Sequence, residues 1–255
     1  MKKYVNKIIL LGIGLLIWGI YLGYPGNEIK LIFCDVGQGD GAMIVKGKNQ
    51  VLIDVGADNG KMVKCMDRYL PFWDKKIEML IISHWDEDHS GALKSLVKSY
   101  QFENLIESTV STQGYEKMID SKVVKAGDML GFKNWYIDII SPRENTREDN
   151  ACSIVMVANF AEGSFLFSGD AEFGEEGEML SWWKREVDGI KISHHGSAGA
   201  SSWDWLLRLR PSIAVISVGE NNFGHPSKDL IDKLNKIGAN IYRTDKNGDI
   251  VLKWN

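Results

Sequence analysis

Apolar and polar positions divide the chain into two unequal parts. From Ile8 to Tyr24 the sequence carries no charge, with Lys2, Lys3 and Lys7 ahead of the run and Pro25-Gly26 closing it. A helix over this run would span about 26 Å at ~1.5 Å per residue, nearly the hydrocarbon thickness of a bilayer. Beyond it the apolar runs are short and bounded by turn residues. Lys30–Cys34, Ala42–Val45, Gln50–Ile53, Met79–Ile82, Asn104–Glu107, Trp135–Ile140 and Ile154–Phe160 read as strands, as do the apolar run from Phe165 and, later, Gly189–Ser193, Ser212–Ser217, Asn240–Arg243 and Asp249–Lys253. Spacings of three and four predict helices over Lys61–Phe72, Gly91 to about Ser99, Glu172–Trp183 and Lys228–Ile237. Gly47-Lys48-Asn49 and Asp245-Lys246-Asn247-Gly248 are hairpin signals. Strands and helices alternate in two halves, each opening on hairpin-like strands, which predicts two packed sheets with helices outside.

This pattern divides the chain into a leader, 1-26, and one domain, 27-255. The lysines ahead of the leader predict a cytoplasmic N-terminus and a domain outside the cell, held as a single-pass membrane protein through residues 8–24. No Ala-x-Ala-like cleavage site follows, so an uncleaved anchor is favoured over a secreted form. Composition adds little: 44% apolar and 25% charged residues are ordinary globular material. The net charge of −4 argues against a protein that holds long nucleic acid by bulk charge. Lys117, Lys122, Lys125, Lys133, Arg143 and Arg147 could still form a local rim for an anionic substrate. The three cysteines, Cys34, Cys65 and Cys152, are widely spaced, show no C-x-x-C and read as mostly buried thiols; outside the cell one pair could be oxidised.

The chemistry is concentrated after Met79–Ile82, where a buried strand delivers His84, Asp86, Asp88 and His89 before Gly91. Imidazole and carboxylate are ligands of zinc and manganese, and a tight turn can aim alternate residues at two centres. Later strand ends repeat the theme with Gly169-Asp170, His194-His195-Gly196 and Gly224-His225-Pro226. All five histidines of the chain lie in these blocks.

The ligand stretch resembles the H-x-H-x-D-H signature of the metallo-β-lactamase superfamily, with Asp86 in place of the second histidine. With Asp35-Val36-Gly37-Gln38-Gly39-Asp40 it looks like the hydrolase domain of the ComEC-type competence proteins. The resemblance covers Glu28 to Asn255 and implies a four-layer αββα sandwich behind the N-terminal hydrophobic helix. It implies one or two divalent cations, Zn or Mn, with Asp88 and His89 on one, His84 and Asp86 on the other, Asp170 bridging and His225 closing the set. His194 and His195 would contact metal or stabilise the departing oxygen, with Asp88 also at the catalytic centre. Asp54 would orient the metal-binding histidines, and Asp35, Gln38 and Asp40 would lie beside the site. Asn150 and Ser153 stand where the superfamily carries a further histidine, which shifts the donors towards oxygen and manganese.

The implied function is metal-dependent hydrolysis of a phosphodiester such as DNA outside the membrane. A cell-wall phosphoesterase of the phosphocholine type or a lactamase-like hydrolase is the enzymatic alternative. A non-catalytic binding module on the same fold is the third reading, and it would have no need of His84, Asp88, His89 and Asp170.

Overall fold

The computed structural model describes residues 2–22, 28–109, 115, 119–143 and 152–254. The leader forms helix α1 (Lys2–Leu22). The first half then contains β1 (Ile29–Phe33), β2 (Gly41–Lys46), β3 (Asn49–Val55), α2 (Lys61–Tyr69), β4 (Lys76–Ile77), β5 (Met79–Ile82), α3 (Glu87–Ser90), α4 (Leu93–Leu96), β6 (Gln101–Phe102), β7 (Asn104–Glu107) and β8 (Asp120–Val123). The second contains β9 (Met129–Gly131), β10 (Tyr136–Ser141), β11 (Val155–Phe160), β12 (Gly163–Phe167), α5 (Phe173–Trp182), β13 (Gly189–Lys191), a 3-10 turn at Ser193–Gly196, α6 (Trp203–Leu209), β14 (Ile213–Ile216), α7 (Lys228–Lys236), β15 (Asn240–Arg243), α8 (Thr244–Asn247) and β16 (Ile250–Trp254).

Two seven-stranded sheets result, in the orders β16-β1-β2-β3-β5-β7-β8 and β15-β14-β13-β12-β11-β10-β9. Their inner strands are buried on both faces, so they read as continuous apolar runs. Side chains alternate across β5. Ile81 faces the other sheet, with Phe33, Ile53, Phe165 and Phe167. Leu80 and Ile82 face the opposite way, towards Met62, Met66, Leu93 and Leu96 of the helices. The second sheet repeats this, with Ile190 and Ala214 packed on Met179, Trp205, Leu206 and Leu230. Helices, sheet, sheet and helices therefore form successive layers. Parallel pairing puts the carboxyl ends of β3 and β5 together in the first sheet and those of β12, β13 and β14 together in the second, where the ligand loops leave.

Three expectations need correction, and the anchor expected over residues 8–24 extends beyond the described residues. Among the described residues no helix is long and apolar enough to cross a membrane. The uncharged part of α1 within the described residues, Ile8–Leu22, covers about 22 Å against the roughly 30 Å of a hydrocarbon core. The hairpin expected between Asn240–Arg243 and Asp249–Lys253 does not form. β15 pairs with β14 while β16 crosses to pair with β1, because each strand completes the open edge of a different sheet. The long helix expected from Gly91 is two single turns on either side of that glycine. Cys34 and Cys65 are a disulfide rather than thiols, fastening α2 to the end of β1, whereas Cys152 is free and buried.

Candidate metal centre

The site is assembled from turns that the backbone holds in costly conformations. Asp54, His194 and His195 all have φ between 47° and 54°, the left-handed region that L-residues with a Cβ avoid. Each costs roughly 1–3 kcal/mol and persists only where surrounding contacts fix it. The contacts are visible. Asp54 accepts hydrogen bonds from Ser83 N and Ser83 Oγ, both 2.7 Å. His89 Nδ1 lies 2.9 Å from Asp54 Oδ2, the oxygen that also accepts from Ser83 Oγ. His195 Nδ1 is 3.0 Å from the Ser217 carbonyl, which can only accept, so this nitrogen carries the proton. In both histidines the arrangement leaves Nε2 aimed into the centre, the tautomer a metal ligand needs.

The loop Asp35–Asp40 is wedged against the ligand loop. Asp40 N donates to Asp88 O at 3.0 Å. A Cβ at Gly39 would lie 2.3 Å from that carbonyl, so only glycine fits. Gln38 Oε1 accepts from Gly219 N at 3.3 Å, joining the loop to the second sheet.

Among the described residues four overlapping groups have donor atoms that, within each group, lie within 4.8 Å of one another: His84, His89 and Asp170; Asp88, His89 and His195; Asp40, Asp54 and His89; and Asp40, Asp170 and His195. In the first, His84 Nε2, His89 Nε2 and Asp170 Oδ1 are buried without a hydrogen-bond partner. Leaving such atoms unsatisfied costs about 1–3 kcal/mol each. A divalent cation satisfies all three at once, so the donor set fits a metal.

Of the expected ligands, His84, Asp88, His89 and Asp170 fall within these groups, and their grouping differs from the expected division. His89 lies between His84 and Asp88 rather than with Asp88 alone. Asp86 is 61% exposed, with Oδ2 3.6 Å from His84 Nε2, and joins none of the four groups. His225 joins none either; its ring lies 5.8 Å from that of His194. His194 is at the mouth, Nδ1 3.0 Å from Glu172 Oε1 and Nε2 3.8 Å from Asp170 Oδ2. Ser153 Oγ accepts from Asp170 N at 3.2 Å and so fixes the bridging candidate. Asp35 faces away, held by Lys61 at 3.2 Å and accepting from Gly37 N. Asn150 lies outside the described residues, as do Lys117 and Arg147; Arg143 is turned to Glu178 and Trp182.

Lys191, unremarked in the sequence, is 3% exposed and its ammonium contacts Asp40. Its signal was a single charge in an otherwise apolar inner strand three residues before the histidine pair. Electrostatics follow from this packing. Burial pushes Asp40 up, but Lys191, His195 and His89 hold it down at about 2. Burial alone would lower His195; Asp40, Asp88 and Asp170 instead raise it to about 9. His89 is likewise raised well above the ordinary histidine value despite burial, first by Asp170 and then by Asp54 and Asp40. Asp170, which burial would raise, is held far below the carboxylate range by His89, His195 and Lys191.

Comparison with known proteins agrees with this geometry. The profile of the Metallo-beta-lactamase superfamily matches residues 34–220. ComE operon protein 3 of Bacillus subtilis is 28% identical over 264 residues, covering 91% of this chain and 34% of its own length. Recombination protein 2 of Haemophilus influenzae is 30% identical over 227 residues, covering 86% and 28%. The chain therefore spans about a third of the length of these relatives. Among solved structures, the metallo-beta-lactamase fold protein YhfI from Bacillus subtilis matches with a TM-score of 0.65 at 11% identity, covering 89% of this chain and 100% of that one.

Proposed function

The chain belongs to the metallo-beta-lactamase superfamily and is related to the ComEC-type competence proteins, and from that premise we propose that its metal centre hydrolyses a phosphodiester, with DNA as the substrate. The observation that carries the reading is the convergence of His84 Nε2, His89 Nε2 and Asp170 Oδ1 within 4.8 Å, three buried donor atoms without a well-formed hydrogen bond, His89 Nε2 and Asp170 Oδ1 being 3.3 Å apart. A binding module gains nothing from such a cost. The competence and recombination names of the relatives support the phosphodiester as substrate.

His84, His89 and Asp170 would hold one divalent cation, and Asp88, with His195 beside it, a second. The mixture of imidazole and carboxylate suits manganese as well as zinc. Such a cation supplies Lewis acidity towards a phosphoryl oxygen and makes a water acidic enough to react near neutral pH. The protein orients and moves protons around it. Asp54 and the Ser217 carbonyl fix His89 and His195 by their Nδ1 protons. His194 is half-open at the mouth, with Glu172 holding Nδ1, so its Nε2 is placed to hand a proton to the departing oxygen.

The disulfide Cys34–Cys65 supports a domain that folds in an oxidising compartment outside the cytoplasm. Resistance of the domain to protease added to intact cells would count against export.

The test uses the 255-residue protein, with bound metal measured by elemental analysis. Hydrolysis of an oligonucleotide, of bis(p-nitrophenyl) phosphate and of a chromogenic lactam is followed in manganese and in zinc. Cleavage of both phosphodiesters, abolished by chelator, is expected. A metal-loaded protein that opens the lactam and leaves both phosphodiesters intact would replace this reading with the lactamase-like one.

A further inference from the structure

The loop from Ser217 to Ser227 is built rigidly, yet it displays a phenyl ring to solvent. The Asn221 side chain ties four backbone groups of the loop. Its Oδ1 accepts from Phe223 N at 3.1 Å and His225 N at 3.0 Å, and its Nδ2 donates to the carbonyls of Gly219 and His225, both at 2.9 Å. Ser227 N donates to Gly196 O at 2.9 Å, fastening the far end to the histidine turn. Pro226 packs so closely on Gly196 that a Cβ there would lie 2.6 Å from the proline ring. At the tip of this clamped loop Phe223 is 75% exposed.

The ring does not stand alone. It lies 5.7 Å from the ring of His225 at an interplanar angle of 34°. His225 is 5.8 Å from His194, whose Nε2 is 3.8 Å from Asp170 Oδ2. A row of flat rings therefore leads from solvent to the candidate metal donors. An aromatic held out by a preorganised loop keeps its stacking face available without the entropy cost of ordering it on binding.

We infer that Phe223, backed by His225, is a stacking subsite for a nucleobase of the nucleotide next to the scissile phosphodiester. The inference rests on the phosphodiester reading and names which part of the substrate the protein recognises. Stacking on an aromatic tolerates any base, because every base has a π-face. The subsite therefore confers a requirement for a base without a preference for sequence, and it favours a strand whose bases are unpaired.

The experiment compares kcat/KM for a single-stranded oligonucleotide and for the same backbone carrying an abasic nucleotide on either side of the cleaved bond, in manganese. The wild type should prefer the base-bearing strand. Phe223→Ala should reduce that preference by about tenfold, within the range expected for one base–aromatic stack. Phe223→Trp should keep it, and Phe223→Leu, apolar but not flat, should lose it as Ala does. The exposed position makes misfolding of these variants a poor explanation for any loss. Equal wild-type rates on the two strands, an unaltered preference in Phe223→Ala, or full retention by Phe223→Leu each overturn the subsite while leaving the phosphodiesterase reading intact. Cleavage of neither strand by a metal-loaded wild type defeats that reading and the subsite with it.

Discussion

Replacing Lys191 with Met tests the electrostatic frame of the centre, because the two side chains are similar in length and differ in charge. The side chains of Lys191 and Asp40 are 4% and 7% exposed, so neither has water to fall back on. Without the ammonium, Asp40 keeps only His195 Nδ1 at 3.3 Å and His89 Nδ1 at 3.7 Å as cationic neighbours. Both of those nitrogens are already directed elsewhere, to the Ser217 carbonyl and to Asp54. Stripping one partner from a buried ion pair typically costs about 3–5 kcal/mol, since the other charge is left in low dielectric. Urea unfolding in the presence of chelator should show a loss of that size. The double variant Lys191→Met/Asp40→Asn removes the stranded charge and should recover roughly 2 kcal/mol of it, as expected for residues in direct contact. A single variant within about 1 kcal/mol of wild type, or a double variant whose cost is the plain sum of the two, would show that the pair does not organise the centre.

Asp170→Asn should lose bound cation and hydrolysis together, and chelator should lower the melting temperature of the wild type but not of this variant, because a cation at a hundredfold excess over Kd contributes about 2.7 kcal/mol to the native state alone. Stability in chelator should fall at both ends of the pH scale. Asp40, depressed to about 2, contributes roughly 2 kcal/mol that is present above its unfolded value of 3.8 and lost as pH falls through 2. His195, raised to about 9, contributes stability that is complete below its unfolded value of 6.5 and lost as pH rises through 9. A cation displaces that imidazole proton, so its apparent affinity, measured by calorimetry, should increase with pH across the same interval; a flat profile would show that His195 keeps its proton. Cys34→Ser/Cys65→Ser should cost about 3–4 kcal/mol in thermal or urea unfolding, the loop-closure term for a sequence separation of 31, and reduction of the wild type should match it.

The layers were legible because they rest on local patterns. The apolar run Met79–Ile82 and the spacing of Met62, Cys65 and Met66 state which faces are buried, and the structure buries those faces. The candidate metal donors were legible because they cluster in the loops and turns that follow strand ends, so motifs of residues close in sequence marked the place. Long-range pairing was not. Nothing near Asp245–Gly248 distinguishes a hairpin from a crossover; the deciding fact is that β1 and β14 each present an open edge, more than 200 residues apart in one case and fewer than 30 in the other. Cys34 and Cys65 likewise meet only because α2 folds back over β1.

The structure groups the donor atoms differently from their sequence spacing, for a related reason. Spacing within His84–His89 suggests alternate residues pointing at alternate ions, which holds for an extended turn. At Glu87–Ser90 the chain instead makes a helical turn, with His89 N and Ser90 N both bonded to Asp86 O. That turn carries His89 back to His84, their rings 4.1 Å apart, and leaves Asp88 facing His195 across the junction of the sheets. One helical turn, stabilised by contacts to Asp54 of β3 and to Asp40 of the neighbouring loop, therefore decides which donor atoms lie together. The same contacts explain why Lys191 escaped notice. Its partner is 151 residues away, and a lysine in a strand is read as an edge or surface residue until a carboxylate is known to meet it inside.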